Sequence, residues 1–132
     1  GSGFDEPVYL PLRINKMHKL VILISHQDDW IRFYDEWPRF LRLAESMPGL
    51  QREAMSRVTQ VLYGELPHER IYELFFCSRA AIEQALASPQ GLAAGRLLQK
   101  ITNGRVVLFI ADHKEDDLAN IRKFIPESGA SE

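Results

Sequence analysis

Four short apolar runs and the helix signals between them constrain this chain more than any motif does. His18–Ser25 reads HKLVILIS, β-branched and apolar on both sides, too short for a good helix. Asp28 or Asp29 then offers an N-cap for a helix beginning at Trp30, whose stripe includes Ile31, Tyr34, Phe40, Leu41 and Leu43. Pro38 inside it predicts a kink near Trp37, and Met47-Pro48-Gly49 a stop. Leu50–Tyr63 reads as a second strand, Gly64–Glu69 as a loop, and Ile71–Cys77 as a third strand. Ser78 caps a helix through Ala87, and Ser88-Pro89 opens another to about Ile101. After the Asn103-Gly104 turn, Arg105–Ala111 is the fourth strand. The order β-α-β-β-α-β is the ferredoxin-like plan: an α+β domain with a four-stranded antiparallel sheet and helices on one face.

At 132 residues the chain has room for one domain with a core. We divide it into an N-terminal arm (1–16), in which Gly1-Ser2-Gly3 looks like a cloning scar, a dense domain (17–113) and a charged C-terminal tail (114–132). Ala119–Phe124 is read as a short amphipathic turn in that tail. A net charge of −2 without a basic block argues against nucleic acid or an anionic membrane as partner. No apolar run is long enough to span a bilayer, no signal-peptide pattern opens the chain, and a single cysteine, Cys77, excludes an internal disulfide. The expected location is the cytoplasm.

The strands lack the alternation of a sheet with one wet face. Leu20, Ile22 and Ile24 stand against Val21 and Leu23, Tyr72, Leu74 and Phe76 against Ile71 and Phe75, and Val107 and Phe109 against Val106, Leu108 and Ile110. Helices cover one face. Four strands ~4.8 Å apart and ~20 Å long leave a second apolar face of roughly 400 Å2. A patch of that size usually marks an interface. We therefore expect a homodimer, sheet facing sheet, around a cavity. The alternative is that arm and tail fold over that face.

One charge interrupts the third strand. Glu73 lies in RIYELFFC, with Ile71 and Phe75 on its side, so it is expected to point into the cavity. An apolar cavity disfavours a carboxylate's anion, a condition suited to general acid or base work. The structural alternative is a salt bridge with Arg57 or Arg105. His18, at the start of the first strand, is read as a rim imidazole able to shuttle a proton. Arg57, in the second strand, is read as a cation able to hold a carboxylate or phenolate ligand. Ile22, Ile24, Trp37, Tyr63, Phe75 and Phe109 are expected to line the ligand pocket. His26, His68 and His113 are weaker candidates, and Cys77 reads as a small packing residue. No metal-ligand spacing and no phosphate-binding glycine loop is found, so neither metal nor cofactor is expected.

The opening MHKLVILI, the helix bearing FYDEW and ending in MPGL, the strand YELFF and the later ASPQG resemble the EthD-like family of the dimeric α+β barrel superfamily. The resemblance covers about Met17–Asp112. It implies the ferredoxin-like fold, a back-to-back dimer and a small-molecule cavity, but no single activity. The family includes proteins associated with ether degradation and lactone isomerisation. The wider superfamily includes cofactor-independent monooxygenases, polyketide cyclases and haem enzymes. Many EthD-like proteins carry a His shortly before a Pro in the first helix. Here that stretch is Asp35-Glu36-Trp37-Pro38, so no role for that imidazole carries over, and no haem motif is matched. The expected function is cofactor-independent isomerisation, cyclisation or oxygenation of a hydrophobic, oxygenated compound. The alternatives are a non-catalytic ligand-binding or auxiliary protein, or a structural dimerisation module.

Overall fold

The computed structural model describes residues 15–119. Expectations for most of the arm and of the tail, the amphipathic turn after Ala119 included, lie outside the described residues. The elements are β1 (Asn15–Ser25), α1 (Trp30–Glu45), β2 (Arg52–Arg57), β3 (His68–Phe76), α2 (Arg79–Ala87), α3 (Pro89–Thr102) and β4 (Val106–Glu115). The four strands form one sheet in the order β2-β3-β1-β4, with β1 and β2 each antiparallel to β3. This is the expected ferredoxin-like α+β fold. His18–Asp112 forms one compact unit, while Asn15–Met17 and His113–Ala119 belong to a second.

Local chemistry sets the boundaries. The Asp29 side chain accepts from the Arg32 amide at 3.0 Å and starts α1. Ser78 and Ser88 do the same for α2 and α3, accepting from the Ala81 and Gly91 amides at 3.0 Å. Asn103, at φ 52°, takes the left-handed conformation at the C-cap of α3, and Gly104 follows it at φ 74°. Helix α1 continues through Pro38. Strand β2 is shorter than the sequence suggests. The Val58 amide still reaches the Glu69 carbonyl at 3.0 Å. The residue pairing of β2 with β3 ends at Arg57 opposite Arg70, and residues 58–67 form a loop in which Leu62 and Tyr63 are exposed.

The core lies between the helices and one sheet face. Leu20, Ile22 and Ile24 from β1 and Tyr72, Leu74 and Phe76 from β3 meet Phe33, Trp37 and Phe40 from α1 and Ile82, Leu97 and Leu98 from α2 and α3. Trp37 stacks between Phe33 and Phe40 at centroid distances of 5.0 and 4.9 Å and meets the Tyr72 ring edge-on. Tyr72 is buried, yet its hydroxyl donates to the Glu53 carboxylate, so the core accepts this ring without stranding its polar end. At the far end of the sheet, buried Gln27 donates to the Ser25 and Arg105 carbonyls, and Arg105 pairs with Asp28 at 2.7 Å. No helix among the described residues is long and apolar enough to cross a membrane.

Candidate functional site

The strand registers decide which side chains share a surface, because directly opposed residues in an antiparallel pair point to the same face. Lys19 faces Phe75, Val21 faces Glu73, and Leu23 faces Ile71. On the other side of β3, Arg52 faces Phe75, Ala54 faces Glu73, and Ser56 faces Ile71. These residues therefore lie on the sheet face away from the helical core. On β4, Val106 and Ile110 pack towards the helices, so alternation gives Val107 and Phe109 to the same second face.

Glu73 has a partner there. Its Oε2 lies 2.5 Å from Lys19 Nζ, and both side chains are about four-fifths buried, at 21% and 18% exposure. Lys19 stands diagonally across β1 from Glu73, within reach of a long side chain. The Phe75 ring carries the Arg52 guanidinium at 3.9 Å and the Lys19 ammonium at 5.6 Å. The result is one carboxylate and two cations around an aromatic ring, bordered by Val21, Leu23, Ile71 and Ala54. Such a group can accept a proton at the carboxylate and donate hydrogen bonds to a developing anionic oxygen from the cations.

The structure separates several residues that the sequence reading places together. His18 lies opposite Phe76 and shares the helix-facing side with Leu20, Ile22 and Ile24. Ile22 and Ile24 are sealed in that core and Trp37 is stacked within it, so none of the four shares a face with Glu73. The correction has a simple cause: the β1 side carrying Leu20, Ile22 and Ile24 is the one the helices cover. Arg57 lies opposite Arg70, likewise on the side away from Glu73. Tyr63 stands on the exposed loop. Phe75 and Phe109 remain on the Glu73 face. Arg105, considered as a salt-bridge partner for Glu73, is engaged by Asp28. The Arg105 guanidinium holds the Asp28 carboxyl below its usual range through a hydrogen bond and its charge.

Lys19 and Arg52 are the residues that sequence reasoning missed. Lys19 has the same strand parity as Val21 and Leu23, a visible signal. Arg52 belongs to a strand with weak alternation, and only its pairing with β3 reveals its facing. His26 Nδ1 lies 3.0 Å from Glu69, and His113 Nε2 lies 2.7 Å from Glu115. His68 Nδ1 is buried without a hydrogen-bond partner among the described residues. No group of three or more His, Cys, Asp or Glu side chains among the described residues is placed to hold a metal ion.

No protein-family model matches the chain, and no curated protein does. Solved structures do. An EthD family protein from Bacillus halodurans C-125 aligns over 74% of this chain and 98% of its own, with 22% identity and a TM-score of 0.67. This chain has the ferredoxin-like fold. A dimeric ferredoxin-like protein of unknown function from Jannaschia sp. CCS1 shares the fold at a TM-score of 0.55 and 16% identity, over 74% of this chain and 98% of that one. SnoaB, a cofactor-independent oxygenase from Streptomyces nogalater, shares it at 0.53 and 14%, over 78% of this chain and 95% of its own. At these identities the likenesses establish the fold.

Proposed function

We propose that two copies of this chain meet through the sheet faces that carry Glu73 and enclose a cavity for a hydrophobic, oxygenated small molecule. The observation that carries the reading is the largely buried Lys19–Glu73 pair set in an apolar strand surface, beside Phe75 and Arg52. Val107 and Phe109, each 43% exposed, extend that surface across β4. Support for the dimer comes from the Jannaschia protein and a Thermobifida fusca protein of the same fold, both described as dimeric.

In this reading the cavity runs cofactor-independent proton transfer. The Glu73 carboxylate takes a proton from a carbon next to the substrate's carbonyl. Lys19 and Arg52 donate hydrogen bonds to the enolate oxygen that forms. The same carboxyl returns the proton to a second carbon, so an isomer leaves with no net change in atoms. An aromatic face at Phe75 suits a cyclic substrate. Oxygenation of an electron-rich ring is a neighbouring chemistry, and SnoaB, of the same fold, is a cofactor-independent oxygenase.

A second reading is a binding or auxiliary protein that uses the same cavity without turnover. One observation favours it: Lys19 and Glu73 already satisfy each other. The test is to soak crystals with a panel of phenols and lactones and to follow turnover of the bound compounds. Ligand between the sheets with turnover that Glu73→Gln abolishes supports the enzyme. Ligand without turnover supports the binder. A lumen filled by side chains, or a monomer in light scattering at micromolar concentration, sinks both.

A further inference from the structure

A different pair of residues stands at the other face of the sheet. Arg57 on β2 and Arg70 on β3 are direct cross-strand partners, so their side chains leave the same face side by side. Like charges placed directly opposite each other on a sheet repel. In most sheets an acid between them, or separation, removes the conflict. Here neither guanidinium forms an ion pair among the described residues. Glu69 is the adjacent acid, and its carboxylate is turned to His26 at 3.0 Å.

Arg70 is held in place from three directions. Its Nε donates to the Tyr34 hydroxyl at 2.8 Å, its Nη1 donates to the Glu69 carbonyl at 3.4 Å, and its guanidinium lies 4.8 Å from the Trp30 ring. Its Nη2 has no partner among the described residues, and Arg57 has none at all there. Both arginines line a cleft of about 350 Å3 together with Val58, Thr59 and Glu69. Arg70 Nη2, the adjustable Arg57 guanidinium and the Thr59 hydroxyl are a set of donors with no acceptor among the described residues. A planar guanidinium matches the spacing of phosphoryl oxygens, and two of them match a double negative charge.

We propose that Arg57 and Arg70 form a binding site for a phosphoryl dianion, with Thr59 as a further donor. The site lies across the sheet from Glu73 and does not depend on the cavity chemistry proposed above. Its ligand is free phosphate or the phosphoryl end of a phosphomonoester, for which the cleft leaves room.

Isothermal titration calorimetry at low ionic strength tests this with three probes: inorganic phosphate, phenyl phosphate and acetate. We expect saturable binding of phosphate or phenyl phosphate and weaker binding of the monoanion acetate. Tighter binding of phenyl phosphate assigns the site to a monoester; equal affinity assigns it to the free ion. Arg57→Gln and Arg70→Gln should each weaken binding about tenfold or more. Arg79→Gln, which removes an equal charge from α2, should leave it unchanged. Arg57 is exposed, so Arg57→Gln tests the site without endangering the core. Absence of saturable phosphate binding, wild-type affinity in Arg57→Gln, or equal loss in Arg79→Gln would overturn the proposal.

Discussion

Lys19 Nζ lies 2.5 Å from Glu73 Oε2, and this ion pair links the first strand to the third on the face away from the helices. With both side chains about four-fifths buried, it sits between the exposed pairs that contribute little and the buried pairs whose breakage is costly. We expect Glu73→Gln and Lys19→Met each to destabilise the fold by roughly 1–2 kcal/mol. The double variant should recover part of that loss, since it strands no charge. Urea unfolding of the two single variants and the double variant measures the coupling. Purely additive effects would show that the pair is screened.

The sheet face that carries this pair is also the proposed dimer surface. A carboxylate at Phe109, a ring 43% exposed on β4, would be desolvated and unpaired in the closed dimer. Phe109→Asp is expected to convert the dimer to monomer in light scattering while far-ultraviolet circular dichroism stays unchanged. An intact dimer would move the interface away from β4.

Two glycines of α3 should respond oppositely to alanine. A Cβ at Gly91 would stand 2.0 Å from the Ala85 carbonyl oxygen and 2.8 Å from Leu86 Cα, backbone that cannot swing aside. A Cβ at Gly95 meets nothing within 4 Å on an exposed helix surface. Gly91→Ala should cost about 2 kcal/mol or more, and Gly95→Ala should add about 0.5–1 kcal/mol of stability. Thermal melts of the two variants separate the cases.

Glu45, at the end of α1, shares a hydrogen bond with Glu53, and this bond and the neighbouring charge raise its carboxyl above the usual 4.5. The folded chain thus holds a proton that the unfolded chain releases. That contribution is fully present below the ordinary carboxylate range and is lost as pH rises through the raised value. At neutral pH two anions face each other. Glu45→Gln keeps a donor towards Glu53 at every pH, so it should stabilise by a few tenths of a kcal/mol, roughly 0.3–0.5, at neutral pH. The gain should vanish near about pH 4. Denaturant unfolding at the two pH values checks the sign, and a gain that persists in acid would rule out the shared proton.

The sequence by itself determined the order and kind of the elements. Serine and aspartate caps, the Pro-Gly stop after Met47 and the strand runs are local signals, decided within a few residues by backbone chemistry. The side of β3 that carries Glu73 was also legible, because Tyr72, Leu74 and Phe76 form an unmistakable core row. The company that Glu73 keeps was not legible. Only the tertiary structure decided that Lys19 and Arg52 stand beside it while His18 and Arg57 lie behind the sheet. The reason is that strand pairing joins residues far apart in sequence, Lys19 with Phe75 and Arg52 with the same Phe75, and a shift of one residue sends every side chain to the opposite face. For β1, apolar on both sides, the helices choose the face they cover, and that choice exists only once the strands have paired.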